Sequence, residues 1–260
     1  MSEVQAVSAI ERSTMRRVTW RIIPFLMVCY FIAFVDRVNA GFAALEMNRD
    51  IGLSSAAFGL GGGLFYVTYV LLEVPSNIAM EKVGARLWIA RILVTWGLVS
   101  GAMAFVVGPW SFYAVRLLLG AAEAGFFPGV ILYLTYWFPR EYRGRIVAIF
   151  MVAIPVSSFL GSPISAALLQ TDGWLGLRGW QLMFLFEALP AILLGIASLA
   201  VLPNGPERAG WLEPEQRAWL AQRLAAERAA PGHRAPAHLS LWQVMSNRYV
   251  LAASLIYAGA

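Results

Sequence analysis

"IIPFLMVCYFIAFVDRVNAGFAAL", residues 22–45, is the stretch on which the reading of the whole chain turns. It is long and apolar enough to cross a bilayer, which takes about 20 residues of helix. Yet Asp36 and Arg37 sit side by side within it. An ionisable group near the bilayer centre costs at least about 2.5–3.5 kcal/mol on insertion scales, so it faces a bundle interior or an aqueous cavity. The stretch therefore predicts a span with a working polar interior beside it.

Composition agrees. The chain has 260 residues, 59% of them hydrophobic and only 13% charged, with mean hydropathy +0.65. A soluble domain carries about 25% charged residues. Spanning runs occur at roughly 22–44, 57–79, 87–107, 111–138, 146–169 and 180–202, and a seventh begins near 247 in "NRYVLAASLIYAGA". The fold expected is all-α: a cytoplasmic N-terminal segment (1–21), a six-span bundle (22–202), a linker with an amphipathic helix (203–246) and part of a seventh span (247–260). The first run is too long for the apolar core of a signal peptide, about 7–15 residues, and reads as an uncleaved span.

Charge sets the orientation. Of the 20 basic residues, only Arg49 and Arg178 fall in connections on the side away from the N-terminus, and Arg37 and Arg116 lie within spans. The excess elsewhere places the N-terminus in the cytoplasm and the protein in the cytoplasmic membrane. The basic residues sit between apolar runs and form no nucleic-acid patch, so the pI near 9.7 reflects topology. The single cysteine, Cys29, lies within the first run and makes neither an internal disulfide nor a multi-cysteine metal site. No metal or cofactor is expected.

Asp36, Arg37, Glu73, Arg116, Glu123 and Glu187 lie within the spans. At about 1.5 Å per helical residue, Asp36 and Arg116 fall at similar depth and are expected to pair. Glu123 follows Arg116 by two turns and shares its face. Arg37 points about 100° away from Asp36 around the helix. A guanidinium offers a carboxylate two parallel donors. A carboxylate in a low-dielectric cavity can load a proton. The set reads as a site for an anionic solute coupled to protons, against a purely structural charge network. Glu73 reads as a helix-end contact, and Glu187 has no assigned role. Gly-rich "GLGGG" (59–63) and "GAAEAGFFPG" (120–129) predict close helix approach, and Pro128, Pro155 and Pro163 predict kinks. In the linker, Pro214 opens a helix whose Trp219, Leu220 and Leu224 form an apolar stripe, and Pro231, Gly232 and Pro236 end it.

"MEKVGARLWIAR" (80–91) resembles the signature loop of the major facilitator superfamily, with Glu81, Lys82, Gly84 and Arg86 filling its pattern. Glu81 replaces the commoner aspartate, and Ala85 stands at an often basic place. Together with "FVDRVNAGFA", "RLLLGAAEAGFFPG" and "YWFPREYRGR", the chain resembles the anion:cation symporter branch, from about residue 16 to 260. That resemblance implies proton-coupled uptake of an organic acid by alternating access. It casts Asp36 and Glu123 as protonatable acids, Arg37 as the contact for the substrate carboxylate and Tyr69 as a cavity tyrosine, while the placing of two arginines with two acids on facing helices adds Arg116 to the substrate-binding set. Glu81, Lys82, Gly84 and Arg86 become a gating loop. Ile154–Pro155 stands where some relatives carry a glutamine, which implies a less hydroxylated or aromatic acid. The family fold has twelve spans around a central cavity, so the expectation is a fragment whose six-span C-terminal half completes the protein. The expected partners are a small organic anion, protons and the lipid bilayer, with no nucleic acid. An anion-binding sensor and an organic-anion exchanger need the same pocket and stay open. A membrane-embedded enzyme is weaker, since His233 and His238 lie in the linker and no nucleophile–base–acid set appears in the spans.

Overall fold

The computed structural model describes residues 3–229 and 246–248, and the regular structure within them is helical. Among the described residues nine α-helices follow one another: α1 (Glu3–Asp50), α2 (Ser55–Val83), α3 (Ala85–Ala102), α4 (Pro109–Glu123), α5 (Phe126–Thr135), α6 (Arg140–Met151), α7 (Ala153–Leu169), α8 (Gly179–Val201) and α9 (Pro214–Ala229). Six stretches of the described residues are long and apolar enough to cross a membrane: α1, α2, α3, α4 with α5, α6 with α7, and α8. They coincide with the six runs read from the sequence. The seventh run and the linker's Pro231, Gly232, His233, Pro236 and His238 lie outside the described residues, apart from residues 247 and 248.

The polar segment ahead of the first span is not separate from it. α1 is continuous from Glu3 to Asp50. At about 1.5 Å per residue it is far longer than a hydrocarbon core of about 30 Å, so its N-terminal turns project beyond the bilayer. There α9 packs on it, with Leu220 and Leu224 buried. Arg17 pairs with Glu213 at 2.9 Å, Arg143 with Glu227 at 2.7 Å and Arg223 with Glu141 at 2.8 Å. The Glu141 carboxylate, by hydrogen bond and charge, moves the exposed Arg223 guanidinium further toward its charged form. At the opposite end Asp50 accepts from the Trp180 indole at 2.9 Å and from Arg178 at 3.0 Å, joining the end of α1 to the start of α8.

Inside the bundle α3 runs along α8, α2 along α4, and α1 against α7 and α8. Helices in lipid gain little from apolar burial against each other and depend on close packing. Gly97 shows this: a Cβ there would lie 2.7 Å from Ile192 Cγ1, and one at Gly195 would lie 2.7 Å from Val94 Cγ2. Of the "GLGGG" run only Gly61 meets a neighbour, the Phe112 ring. A Cβ at Gly59, Gly62 or Gly63 would meet nothing within 4 Å among the described residues.

Spans four and five are each broken. α4 stops at Glu123 and α5 starts at Phe126, with Gly125 between them at φ +84°, a conformation that suits glycine. The break lies at Gly125, and Pro128 sits in the first turn of α5. In span five the interruption falls at Val152, with Pro155 in the first turn of α7, where its missing N–H removes the bond back to Met151. Gly84 closes α2 by donating its N–H to Met80 O at 2.8 Å, with φ +99°. The Asn204 side chain, just beyond α8, accepts from Arg86 N at 3.0 Å. A Cβ at position 84 would lie 3.2 Å from that same amide.

Candidate functional site

The charged residues of the spans gather where α1 meets α2, α3 and α4. Asp36 is buried, and its carboxylate accepts three hydrogen bonds: from Trp96 Nε1 at 2.6 Å, from Asn39 Nδ2 at 3.1 Å and from Ser100 Oγ. Three donors are what a carboxylate needs when it leaves water. Trp96 and Ser100 stand one turn apart on the buried face of α3.

Arg37, next along α1, turns to another partner. Its guanidinium pairs with Glu123, the last residue of α4 before the break. The Arg37 side chain is 31% exposed and that of Glu123 only 2%, so the pair has an open side and a closed one. The Arg37 guanidinium carbon stands 5.4 Å from the Tyr69 ring centroid, a cation–π contact from α2. Its Nε is buried with no hydrogen-bond partner among the described residues. Glu73, one turn beyond Tyr69 on α2, lies within the electrostatic reach of Arg37. Glu73 lies inside α2 rather than at its end, which is Val83, so it is not a helix-end contact.

The expected Asp36–Arg116 charge pair does not form. Arg116 is buried with its guanidinium carbon 4.7 Å from the Phe65 ring centroid, and its Nε donates to Gly61 O at 3.4 Å. It acts on Asp36 and Glu123 only through its field. The α3 donors reach Asp36 first, and Arg116 is drawn toward α2. Arg116 and Glu123 do share the buried face of α4, as their spacing requires.

Glu187, unassigned from sequence, is buried in α8 and accepts from Ser165 Oγ of α7 at 2.6 Å, while its Oε2 has no partner among the described residues. Asn39 lies between the two acids, bonded to Asp36 and within interaction range of Glu187. Asn39, Trp96, Ser100 and Ser165 were not singled out from the sequence. The one-turn spacing of Trp96 and Ser100 is the signal that could have found two of them. Within the gating-loop sequence, Glu81, Lys82 and Arg86 are exposed and make no ion pair among the described residues. The loop is tied through its backbone, with Arg86 N donating to the Asn204 side chain. A cavity of about 460 Å³ lies against this loop, with Tyr136, Asn204 and Glu207 on its other side. Among the described residues no group of three or more metal-ligating side chains comes together.

The family model described as Major Facilitator Superfamily matches residues 26–260. A protein of Agrobacterium vitis named "Putative tartrate transporter" is 55% identical over 252 residues, which cover 97% of this chain and 58% of that protein. The "Putative metabolite transport protein NicT" of Pseudomonas putida is 53% identical over 214 residues, covering 82% of this chain and 49% of that protein. The chain thus spans about half the length of the relatives it matches. Among solved structures, a bacterial homologue of the human lysosomal transporter Spinster, inward-facing and occupied, superposes with a TM-score of 0.66 at 20% identity, over 71% of this chain and 44% of that one.

Proposed function

The chain belongs to the Major Facilitator Superfamily, and from that premise we propose that the whole protein is a secondary active transporter that takes up a small organic carboxylate with protons. Relatives named as transporters support the coarser part of this reading. The observation that carries the finer part is the half-open Arg37–Glu123 pair. Arg37 holds one acid with its terminal nitrogen, keeps an Nε unpartnered among the described residues, and has the Tyr69 ring against its guanidinium. An arriving carboxylate can take over the guanidinium, and a proton can neutralise the acid it displaces. Arg116, buried nearby on α4, contributes positive potential. Asp36 is proposed as the second proton site. Tartrate is named for relatives, and it is a hydroxylated diacid. That runs against the less hydroxylated acid inferred from Ile154–Pro155, so the proposal stays at the carboxylate class.

The test is uptake in proteoliposomes holding the full-length protein. An inward proton gradient should concentrate the labelled acid, and a protonophore should abolish the accumulation. Counterflow without gradient-driven accumulation would instead identify an exchanger, and binding without flux a sensor.

The N-terminus is proposed to be cytoplasmic, in the cytoplasmic membrane, from the distribution of Lys and Arg. Glu81, Lys82, Gly84 and Arg86 are then proposed as a cytoplasmic gate, held by Asn204. A cysteine placed at position 82 should be labelled only from the cytoplasm, at a rate that substrate changes. Labelling from outside overturns the orientation, and a rate indifferent to substrate overturns the gate.

A further inference from the structure

A second polar site lies where α1 emerges from its apolar run, far from the Arg37 cluster. Here α1 and the start of α9 enclose a cavity of about 580 Å³. Its walls are built rather than incidental. Arg17 donates to both Glu213 and Gln216 at 2.9 Å, and the largely buried Gln216 donates to Ser13 Oγ at 3.1 Å. Three guanidinium groups, Arg16, Arg17 and Arg21, line the space against one carboxylate, Glu213. Arg17 is committed to that carboxylate. Arg16 and Arg21 are exposed and make no ion pair among the described residues. Trp20 stands between them, 75% exposed, on the cavity's edge.

The level matters as much as the charge. Arg21 immediately precedes Ile22, where the apolar run begins. This is the depth of lipid phosphates, and tryptophans collect there because one part of the ring is apolar and the other polar. Basic pockets at helix ends on this boundary hold anionic headgroups. A water-soluble anion would satisfy Arg16 and Arg21 but leave Trp20 bare. A lipid satisfies all three, with its phosphodiester between the arginines and its glycerol and upper acyl chains against the indole.

We propose that the cavity formed by Arg16, Arg17, Trp20 and Arg21 against Glu213 binds the phosphodiester headgroup of an anionic phospholipid. The site is independent of the transport reading and uses none of its residues.

The test uses the purified full-length protein, delipidated and returned to mixed phosphatidylglycerol and phosphatidylcholine, with retained lipid read by native mass spectrometry. Wild type should retain phosphatidylglycerol selectively. Two arginines near a membrane surface suggest that Arg16→Ala with Arg21→Ala lowers this preference by about tenfold or more. The paired lysine variant, Arg16→Lys with Arg21→Lys, should keep most of it, which guards against a folding defect in the alanine form. Equal retention of the two lipids by wild type, or an unchanged preference in a folded alanine variant, overturns the proposal. Displacement of the lipid by soluble glycerophosphoglycerol or inorganic phosphate at comparable concentration would also overturn it, in favour of a soluble anion. Loss of retention in Trp20→Ala with phosphate binding unaltered supports the lipid source.

Discussion

Arg37→Ala in the full-length protein is expected to weaken binding of the anionic substrate by about 2–5 kcal/mol, roughly thirtyfold to several thousandfold in Kd. Arg37 holds the exposed half of the only ion pair among the described residues that lies within the spans. Its loss removes the charge-assisted donors and leaves Glu123 buried without its partner. Stranding one member of a buried pair costs about 3–5 kcal/mol by itself. Two further variants separate the effects. Arg37→Lys keeps the charge without the fork and should bind at an intermediate level. Arg37→Ala combined with Glu123→Gln removes the stranded charge, so it should recover thermal stability but not binding. Equilibrium binding by calorimetry, alongside melting temperature, decides the matter. An alanine variant that binds within about twofold of wild type while melting normally would show Arg37 to be structural.

Glu123→Gln and Asp36→Asn are expected to have the opposite signature, with binding kept and gradient-driven accumulation lost. An amide keeps one acceptor oxygen, so Glu123→Gln still accepts from Arg37 and Asp36→Asn from Trp96 or from Ser100 but not both, and the local packing survives at a cost of about 1–3 kcal/mol. It cannot exchange a proton. When substrate engages Arg37, Glu123 loses the partner that made its buried charge tolerable, and a proton restores neutrality. That exchange gives substrate and proton different affinities in the two states, which is what a ligand needs to move a conformational equilibrium. In Glu123→Gln the step is missing. Uptake should fall to the level of passive equilibration, and the pH dependence of binding should flatten, while substrate counterflow persists. Asp36→Asn should act likewise through the α1–α3 contact. Accumulation at the wild-type level in both variants would reduce the two acids to packing groups.

Much of the architecture was legible in the chain itself. Each bilayer crossing demands about 20 apolar residues, so the six spans stand out in the hydropathy of the sequence. The docking helix α9 was legible from Pro214 and from Leu220 and Leu224 one turn apart. That Asp36, Arg37, Arg116, Glu123 and Glu187 turn inward also followed, since charge is costly in lipid. Arg37 is the least enclosed of them.

Which charge meets which was not legible. Counting residues along a helix gives depth, and depth alone matched Asp36 to Arg116. Contact also depends on rotation and crossing, and neighbouring residues differ by about 100° around the axis. Tertiary packing turned Asp36 to Trp96 and Ser100, Arg37 to Glu123, and Arg116 to Phe65. The Asn204 tie to the signature loop and the basic cavity between α1 and α9 join positions more than a hundred residues apart. The sequence by itself determined which segments cross the membrane and which residues must avoid lipid, because both are set by transfer free energy residue by residue. The tertiary structure alone decided the partners, because partners are set by how close-packed helices are rotated against one another.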